Sequence, residues 1–415
     1  MFILGSLTAI LVASRGALAV GSPFGLASGT TGGASAAQAI PTSAAELKSW
    51  LADSTPRNIL LDRTYDFTDS EGSVTETGCK PWTCSSNPQL AINANNWCSS
   101  SAAKVSVTYK KAGTSGLVVG SNKTILGKGT SGWMARVSGL LEARMLSSKT
   151  SASRISTQYV WGGDAISLQG ATNVWIDHNY FKNVGRQFIV THFEPNTKVT
   201  ISNNYFNGQS TYSTGCDQHH YWAFLMLGKD DQITFARNYV YFTSGRGPHI
   251  GGTSGNKQTL HMYNNYFNEI TGHALDAGGL IRTSVDSSYS RRNLAHVQQV
   301  SYFNEITGHA LDAGVGAQVL AEGNYFNKVK TPSTGNKDGA AFAPTSSSMA
   351  DQCLSRIGRK CVLNTLAGGS GTLDNSANNG VVAQFTAPAV KSASIMDPSA
   401  VVAHVLANAG TGKVN

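Results

Sequence analysis

The chain alternates apolar and polar residues over short segments that all end in the same way. Residues 174–181, 199–206, 233–240, 260–267 and 319–326 carry alternating apolar positions, then asparagine, an aromatic residue and an apolar residue. A period of two is typical of β-strands with one buried face. The asparagines of these segments lie 25, 34, 27 and 59 residues apart, and they are Asn179, Asn204, Asn238, Asn265 and Asn324. Strands that recur at such a period indicate a solenoid.

The repeats predict an all-β fold, a single right-handed parallel β-helix in which each coil stacks on the one before. An asparagine at the same bend of every coil can form an internal hydrogen-bond ladder and tolerate a left-handed backbone. A β-propeller would require longer and more uniform blades, and an α/β fold would require helices that the pattern does not contain.

Two short helices are predicted, one before and one after the repeated strand segments. Ser43 followed by Glu46 forms a capping box for a helix over residues 46–52. The second helix covers residues 397–410, with Pro398 in its first turn and Gly410 just after its end. We therefore expect one domain over residues 20–415, a β-helix with short capping helices at both ends.

One stretch of thirteen residues occurs twice without change, at residues 266–278 and 302–314. The copies are 36 residues apart, and removing 36 from the 59-residue gap between Asn265 and Asn324 leaves 23, the length of an ordinary coil. We interpret residues 279–314 as an insertion that arose by duplication or through an error in the gene prediction.

Residues 133–153 interrupt the strand pattern where at least one coil is expected. With a suitable codon choice and a shift of one nucleotide, residues 145–153 can encode Asn-Val-Ile-Ile-Gln-Asn-Ile-Arg-Ile, which is strand-like and contains asparagine. The same shift can convert residues 135–141 into Gly-Lys-Gly-Leu-Arg-Ile-Val. We hypothesise a local frameshift, and sequencing of the transcript tests it.

The composition restricts the choice of partner. Charged residues make up 13% of the chain, and the formal net charge is +8. A net positive charge favours an acidic partner, either nucleic acid or an acidic polysaccharide. Nucleic-acid binders usually cluster their cations on one element, whereas the cations here are scattered, so nucleic acid is not expected. No membrane association is expected either.

The N-terminus and the cysteines both indicate an extracellular protein. Residues 2–14 are apolar but too short to span a bilayer, and Ala17-Leu18-Ala19 has the pattern of a signal-peptidase site. We expect residues 1–19 to be a signal peptide, the alternative being a disordered N-terminus. Six cysteines fit an oxidising compartment and allow fifteen pairings, while a zinc site would require paired Cys-x2-Cys spacings. Asn122-Lys123-Thr124 is an N-glycosylation acceptor.

Candidate chemistry is concentrated in residues 161–187 and around residue 246. Asp164 follows a Gly-Gly pair, Arg186 follows about twenty residues later, and Arg246 lies in Ser244-Gly245-Arg246-Gly247-Pro248-His249. Cations match the acids, which favours chemistry on a carbonyl without a bound metal. The neighbouring Asp177-His178 pair is expected to be structural.

Together with the asparagine coils, these motifs resemble the pectin and pectate lyase superfamily, polysaccharide lyase family 1, and fungal pectin lyases in particular. The resemblance covers the chain from about residue 20, except the two anomalous segments. Its motifs are Glu76-Thr77-Gly78-Cys79-Lys80-Pro81-Trp82, Asn96-Trp97-Cys98, Tyr159-Val160-Trp161-Gly162-Gly163-Asp164, Trp175-Ile176-Asp177-His178, Gly185-Arg186-Gln187, His219-His220-Tyr221-Trp222, Ser244-Gly245-Arg246-Gly247-Pro248 and Gly272-His273-Ala274.

The resemblance implies a secreted, monomeric, endo-acting enzyme that cleaves methyl-esterified polygalacturonan by β-elimination, without cofactor or metal. A base removes the C5 proton, and cations stabilise the charge that spreads onto the C6 carbonyl. Pectate lyases use calcium for that purpose, and calcium requires several carboxylate oxygens. Arg186 stands where an acidic calcium ligand would be expected. A calcium-dependent pectate lyase and a non-catalytic or defective pectin-binding β-helix remain the alternatives.

The resemblance also implies roles for individual residues. Arg246 would accept the proton, Arg186 would polarise the ester carbonyl, and Asp164 would orient the arginines. Because arginine is normally protonated, Arg246 requires an altered setting or a hydroxide that it holds. His249 stands where pectin lyases often carry lysine, which makes the second cation depend on pH.

The substrate cleft and the disulfides follow from the same resemblance. Aromatic faces suit the C–H surfaces of sugars, and the residues expected to line the cleft are Trp82, Trp97, Trp161, Tyr221 and Trp222. A core position is the alternative for Trp97. His219 and His220 are expected to support Tyr221 rather than to catalyse. The implied disulfides are Cys79–Cys98, Cys84–Cys216 and Cys353–Cys361.

Overall fold

The structure is a computed structural model, and it describes residues 21–135, 139–141, 146–149, 152–154, 159–251, 257–278, 294–336, 339–386, 388–391 and 395–413. The predicted signal peptide, residues 1–19, lies outside the described residues. Parts of the two anomalous segments also lie outside them.

Strands dominate the described residues. In chain order they are β1 (Gln38–Ala39), β2 (Arg57–Leu61), β3 (Thr64–Asp66), β4 (Ser73–Lys80), β5 (Leu90–Ala91), β6 (Ala103–Lys110), β7 (Lys123–Gly127), β8 (Trp133–Ala135), β9 (Gly139–Leu141), β10 (Leu146–Lys149), β11 (Ala152–Arg154), β12 (Val160–Trp161), β13 (Ile166–Leu168), β14 (Thr172–Asp177), β15 (Tyr180–Lys182), β16 (Ile189–Thr191), β17 (Thr197–Ser202), β18 (Tyr205–Asn207), β19 (Phe224–Met226), β20 (Asp231–Ala236), β21 (Tyr239–Tyr241), β22 (His249–Ile250), β23 (Lys257–Ile270), β24 (Asp276–Ala277), β25 (Leu294–His309), β26 (Asp312–Ala313), β27 (Ala317–Ala321), β28 (Tyr325–Thr331), β29 (Ala340–Phe342) and β30 (Thr365–Ala367).

The helices are short. The α-helices are α1 (Ala44–Ala52), α2 (Ser347–Asp351), α3 (Leu354–Ile357), α4 (Pro388–Lys391) and α5 (Pro398–Asn408). Single turns of 3-10 helix cover Gly25–Ala27, Ala94–Asn96, Lys111–Gly113 and Asn379–Gln384. Among the described residues, no helix is long and apolar enough to cross a membrane.

The parallel strands stack in three faces, and each central coil, from the one that contains β9 to the one that contains β26, contributes to all three in turn. The first face contains β1, β2, β7, β10, β14, β17, β20, β23, β25, β27 and β29, and the second contains β3, β8, β11, β15, β18, β21, the C-terminal parts of β23 and β25, β28 and β30. The third face contains β9, β13, β16, β19, β22, β24 and β26. The prediction of an all-β parallel β-helix is confirmed.

The repeated apolar positions form the core because the coils stack in register. Each first-face strand places a buried aliphatic residue directly over its predecessor, and the series is Val174, Val199, Ile233 and Leu260. On the second face, the rings of Phe181 and Phe206 stack with centroids 4.8 Å apart. A period of two thus buries one side of each strand against the same interior.

The predicted asparagine ladder is present. The side-chain amide of each asparagine donates to the side-chain oxygen of the next, at 3.0 Å for Asn179 to Asn204, for Asn204 to Asn238 and for Asn238 to Asn265. The left-handed backbone, however, falls one residue before each ladder asparagine. The residues with positive φ are His178, Asn203, Arg237 and Asn264. The ladder side chains therefore serve hydrogen bonding, and the preceding residue makes the bend.

The repeated stretch forms a coil of its own. Tyr302 pairs in register with Tyr266, and Asp312 pairs with Asp276, so the two copies lie in adjacent coils. Serine takes the ladder position of the added coil. The amide of Asn265 reaches Ser301 Oγ at 3.4 Å, and the Ser301 backbone N–H donates to Asn324 at 2.6 Å. The ladder continues through the added coil with a weaker contact.

The backbone of the segment proposed to be frameshifted also contributes strands. β10 pairs in parallel with β7 on one side and β14 on the other, and β9 pairs with β13. Residues 133–153 thus contain the expected coil at the level of the backbone. Whether their reading frame is shifted stays a prediction.

The first helix forms as predicted. Ser43 caps α1 by accepting from the Glu46 backbone N–H at 3.1 Å, and α1 packs on the core through Leu47 and Leu51.

Two other features depart from a simple coil that is capped at both ends. Helix α5 lies against the side of β23 and β25, where Val401 and Val405 contact Tyr266, rather than across an end. In addition, β4 and β6 form an antiparallel pair outside the coil, which the repeat pattern does not predict.

Candidate active site

The chemistry predicted from the sequence gathers where the chain enters the third face. Leu225, His249, Asp276 and Asp312 are register partners in successive strands. The residues three positions before them form one row, because equal offsets on stacked coils align at the strand spacing of about 4.8 Å. We call Trp222, Arg246, His273 and His309 the third-face row.

Asp164 and Arg186 form a bidentate ion pair beside this row. Arg186 Nε donates to Asp164 Oδ1 at 2.7 Å, and Nη2 donates to Oδ2 at 2.5 Å. The Gln187 backbone N–H also donates to Oδ1 at 2.9 Å. Asp164 is 2% exposed. A buried carboxylate that holds a guanidinium in this planar geometry fixes the direction of the cation.

Arg246 lies in a different setting. Its guanidinium lies over the Trp222 ring, 4.8 Å from the centroid, and the part of the chain that the structure describes contains no ion pair of Arg246. The predicted contact of Asp164 with both arginines is therefore made with Arg186 only. Arg246 also has a φ of 50°, in the left-handed region that costs a non-glycine residue free energy. The surrounding turn holds it there.

The pKa values of the two arginines are shifted in opposite directions. Burial is the main cause that lowers the pKa of Arg246, and the positive charge of Arg186 adds to it, while Tyr221, Asp276 and Asp164 oppose the shift without cancelling it. Burial also opposes the charge of Arg186, but the hydrogen bonds and charge of Asp164 outweigh it and raise that pKa. Arg186 is thus a permanent cation, and Arg246 is the arginine that loses a proton more readily.

The glycines around Arg246 are required by close contacts. A Cβ on Gly245 would lie 2.5 Å from the Tyr221 ring, and a Cβ on Gly247 would lie 2.9 Å from the carbonyl oxygen of Ala274. The Arg246 carbonyl in turn accepts from the Phe224 backbone N–H at 2.6 Å. These contacts press the turn against its neighbours and explain the Ser-Gly-Arg-Gly-Pro sequence physically.

His249 has a partner that sequence reasoning missed. Its Nδ1 lies 2.5 Å from Oδ2 of Asp276, which is its register partner on the next coil. No sequence pattern marks Asp276 as a site residue, because the contact arises only when the coils are stacked. The imidazole and the carboxylate together place an ionisable pair beside Arg246.

The predicted cleft aromatics form one cluster. Trp97 and Trp161 have ring centroids 4.3 Å apart, Trp161 and Trp222 5.5 Å, and Trp82 and Trp222 5.8 Å. Tyr221 contacts Trp222 edge to face at 4.8 Å. Trp97 is 41% exposed, which excludes the core position considered for it. The cluster forms a partly exposed apolar wall next to the arginines.

Disulfides hold the segments that carry this wall. The structure contains the three pairs that the resemblance implied, Cys79–Cys98, Cys84–Cys216 and Cys353–Cys361. The first lies in the same cluster as Trp161 and Trp222. Because Cys79 and Cys98 join the strand that precedes Trp82 to the turn that carries Trp97, they fix both tryptophans relative to each other.

Two buried residues position the site from beneath. His220 Nε2 lies 2.8 Å from the Arg186 carbonyl and 3.0 Å from the Trp222 carbonyl, and burial lowers its pKa to about 4. Gln89 accepts from Trp222 Nε1 at 3.0 Å and donates to the Gly185 carbonyl at 2.6 Å. His220 is thus a neutral donor that supports the site, and Gln89, which carries no sequence signal, links the two halves.

The neighbouring pairs serve structure. Asp177 accepts from Ser202 Oγ at 2.6 Å and lies 2.6 Å from His178 Nδ1, inside the coil. His219 stacks on Phe242 with centroids 3.6 Å apart. Neither pair reaches the ion pair or the third-face row, which agrees with the structural assignment made from the sequence.

The donor set does not suit calcium at the ion pair. Both oxygens of Asp164 accept hydrogen bonds from Arg186, and Asp276 is engaged by His249. A calcium ion requires six to eight oxygen ligands. Because Arg186 takes up both oxygens of Asp164, this carboxylate is neutralised by a guanidinium rather than left free for a metal ion.

Comparison with known proteins identifies relatives that cover most of the chain. The chain is 40% identical to "Probable pectin lyase F-2" of Aspergillus terreus over 403 residues, which is 95% of this chain and 74% of that protein. It is 40% identical to "Pectin lyase D" of Aspergillus niger, covering 88% of this chain and 89% of that protein. A scan against protein-family models gave no match.

A solved structure supports the fold. The pectate lyase Bsp165PelA from Bacillus sp. N165, in complex with trigalacturonate, superposes with a TM-score of 0.53 at 19% identity, covering 95% of this chain and all of that one. The fold and the site define a polysaccharide lyase built on a parallel β-helix. The identity and coverage of the Aspergillus relatives show that the chain belongs to the pectin lyase family.

Proposed function

We propose that the chain is a secreted pectin lyase that cleaves methyl-esterified polygalacturonan internally by β-elimination and leaves a 4,5-unsaturated sugar at the new end. The observation that carries the proposal is the pair of unlike arginines. Arg186 is a fixed cation held by Asp164, and Arg246 is half-buried without an ion pair among the described residues. Elimination next to a carbonyl requires one cation and one proton acceptor.

The elimination needs three coordinated events. Arg246, or a hydroxide ion that it holds, takes the C5 proton, and the electron pair of the C5–H bond forms the C4–C5 double bond. The C4–O bond breaks, and its electron pair leaves with the oxygen, which takes a proton from water. Arg186 stabilises the negative charge that develops on the ester carbonyl during this step. His249 supplies a second, pH-dependent cation next to Asp276.

Preference for the methyl ester follows from charge and surface. An esterified sugar is neutral, so its C5 proton is removed without a metal to offset a substrate carboxylate. The tryptophan cluster offers an apolar surface to such a polymer, with Trp97 the most exposed of the predicted cleft residues. A pectate lyase would present more free cations and several calcium-ligating carboxylates at this position.

Extracellular location and a monomeric state belong to the same proposal. Three disulfides fit an oxidising compartment, and the apolar segment at residues 2–14 fits a signal peptide. Asn122, which is half-buried immediately before β7, is the expected glycosylation site. We propose residues 20–415 as the mature domain.

The decisive experiment measures unsaturated products from highly esterified pectin and from polygalacturonate, each with EDTA and with added calcium. The expected result is activity on esterified pectin that EDTA does not change. Loss of activity in EDTA would favour a calcium-dependent pectate lyase, and binding without unsaturated product would favour a non-catalytic pectin-binding protein.

Variants test the two arginines separately. Arg186→Lys keeps the charge but loses the bidentate contact with Asp164, and Arg246→Lys keeps a cation while removing the guanidinium over Trp222. Both should lower kcat by about a hundredfold or more, as removal of one transition-state contact does. Arg356→Lys, in helix α3 away from the site, is the matched control and should retain full activity.

A further inference from the structure

The repeated stretch brings three metal-binding side chains together outside the proposed catalytic centre. Among the described residues, one group of three has ligand atoms that all lie within 4.8 Å of one another, and it consists of His273, His309 and Asp312. His273 and His309 belong to the third-face row, one and two coils beyond Arg246. None of the three takes part in the elimination.

The group is a direct consequence of stacking two identical copies. In the first pair, His249 contacts Asp276 on the following coil. His273 is paired with His309 on the following coil rather than with a carboxylate, but its imidazole reaches Asp312, the copy of Asp276, three residues further along that coil, and the two form a short hydrogen bond.

His309 has no corresponding carboxylate on a following third-face strand, because β26 is the last strand of this face in the part of the chain that the structure describes. It turns to Asp312 instead, with Nδ1 3.0 Å from Oδ1 and 3.2 Å from Oδ2. One carboxylate therefore faces two imidazoles.

The carboxylate is not fully satisfied by these neighbours. Asp312 is 9% exposed, and its buried Oδ1 makes no well-aligned hydrogen bond with any described residue, although His309 Nδ1 lies 3.0 Å away. A buried acceptor without a donor costs free energy, and such groups in native proteins usually have an ion or another partner. The two imidazole side chains are 44% and 40% exposed, so a ligand can reach them from solvent.

We infer that His273, His309 and Asp312 form a binding site for a divalent transition-metal ion of the zinc class. Imidazole nitrogen is a good ligand for zinc, copper and nickel, whereas calcium and magnesium require oxygen. With zinc–nitrogen bonds of about 2.0–2.1 Å, ligand atoms around a tetrahedral ion lie about 3.3 Å apart. The ligand atoms of this group all lie within 4.8 Å of one another, so small side-chain rotations bring them to that spacing.

The site has a consequence for the groove. Three protein ligands leave a fourth position open, as in zinc sites that bind a small ligand. Because the third-face row also contains Arg246, a water molecule or a carboxylate oxygen of a bound polymer can take that position. The ion would add positive charge two strand spacings or less from the proposed proton acceptor.

Calorimetric titration of the tag-free, EDTA-stripped and dialysed full chain with zinc chloride tests the site without using enzymatic activity. The expected result is one zinc ion per chain, with a Kd of about 10 µM or tighter. Calcium and magnesium chloride should give no saturable signal. Cobalt, used as a coloured substitute, should give visible absorption that zinc abolishes.

Variants locate the ion. His309→Ala and Asp312→Asn should each weaken zinc binding by about tenfold or more, with unchanged circular dichroism. His404→Ala, in helix α5, removes a histidine elsewhere and should bind zinc as the unmodified chain does. Lack of saturable binding by the unmodified chain below about 100 µM would overturn the inference. Zinc binding by both site variants that is as tight as that of the unmodified chain would also overturn it. Neither result would bear on cleavage of pectin.

Discussion

At the scale of single residues, the environment separates two arginines that look alike in the sequence. Arg186 is held by both oxygens of a buried Asp164, which makes it a fixed cation. Arg246 lies half-buried over Trp222 without such a partner among the described residues, and its pKa is lowered. Because the difference is made by neighbours that come from other coils, it cannot be read from either motif alone.

His249 offers a test of pH dependence at this scale. If its imidazolium stabilises the developing charge, activity should fall as rising pH removes that proton. His249→Lys keeps a cation over the same range, so it should retain activity at higher pH and shift the upper limb of the kcat/KM profile upward. His404→Lys, outside the site, is the matched control. An unchanged profile for His249→Lys would exclude histidine as the pH-dependent cation.

Asp53 provides a second pH prediction, on stability. It accepts from Arg57 Nε at 2.8 Å and from the fully buried Lys123 at 2.6 Å. The hydrogen bond from Arg57, and then Lys123, lower its pKa to about 2. A carboxylate with a lowered folded-state pKa stabilises the fold above its unfolded pKa of about 4, and this stabilisation is lost as pH falls toward 2.

The corresponding variant is Asp53→Asn. At neutral pH it should be less stable by about 3 kcal/mol, because it leaves the buried Lys123 ammonium without its counter-charge. The difference from the unmodified chain should shrink as pH falls from 4 to 2, measured as urea midpoints across that range. Asp351→Asn, which breaks an exposed pair with Lys360, should be near neutral at every pH. A constant difference would contradict the assignment.

At the scale of elements, the coil depends on the asparagine ladder. Asn238 accepts from the backbone N–H and side chain of Asn204, both at 3.0 Å, and donates to the Ile201 carbonyl at 2.9 Å. Asn238→Ala would leave these buried groups unpaired, which costs about 1–3 kcal/mol for each unsatisfied group. We expect a lower denaturation midpoint and unchanged secondary structure. Asn379→Ala, at an exposed position, is the control; equal midpoints for both variants would contradict a stabilising ladder.

Prediction from the sequence succeeded where the determinant is a local repeat. The alternation in residues 174–181 and its relatives defines the strands, and the recurring asparagine defines how coils align, so the fold and the ladder could be predicted. Contacts between coils could not. Asp276 and Gln89 have no pattern of their own, because their roles arise from stacking and from a loop that crosses to the third face. The side position of α5 likewise depends on an apolar surface formed by three different coils.

At the scale of the whole molecule, the β-helix accommodates an added coil because each coil contacts its neighbours alone. Tyr302 and Asp312 continue the registers of Tyr266 and Asp276, with a local register shift on each side of the added coil. Stability of such a fold is approximately a sum over coils and their interfaces. An extra coil is therefore tolerated if it completes one full turn, and removal of a full turn should be tolerated for the same reason.

Deletion of residues 279–314 tests this directly. Because residues 266–278 and 302–314 are identical, the deletion joins Gly278 to Val315 with the same flanking sequence as before. Asn324 would then follow Asn265 at an ordinary coil spacing, and the weak contact through Ser301 would be replaced by a direct amide contact. We expect a folded protein, one coil shorter, with a melting temperature equal to or above that of the full chain. Pectin cleavage should persist because Asp164, Arg186 and Arg246 are retained, while zinc binding should be lost with His309 and Asp312.

A deletion of half that length, residues 279–296, is the control. It leaves an incomplete coil and should therefore lower the melting temperature. If the 36-residue deletion abolished folding and the half-length deletion did not, the added coil would be an integral part of the fold and coil-by-coil stability would be the wrong description of this molecule.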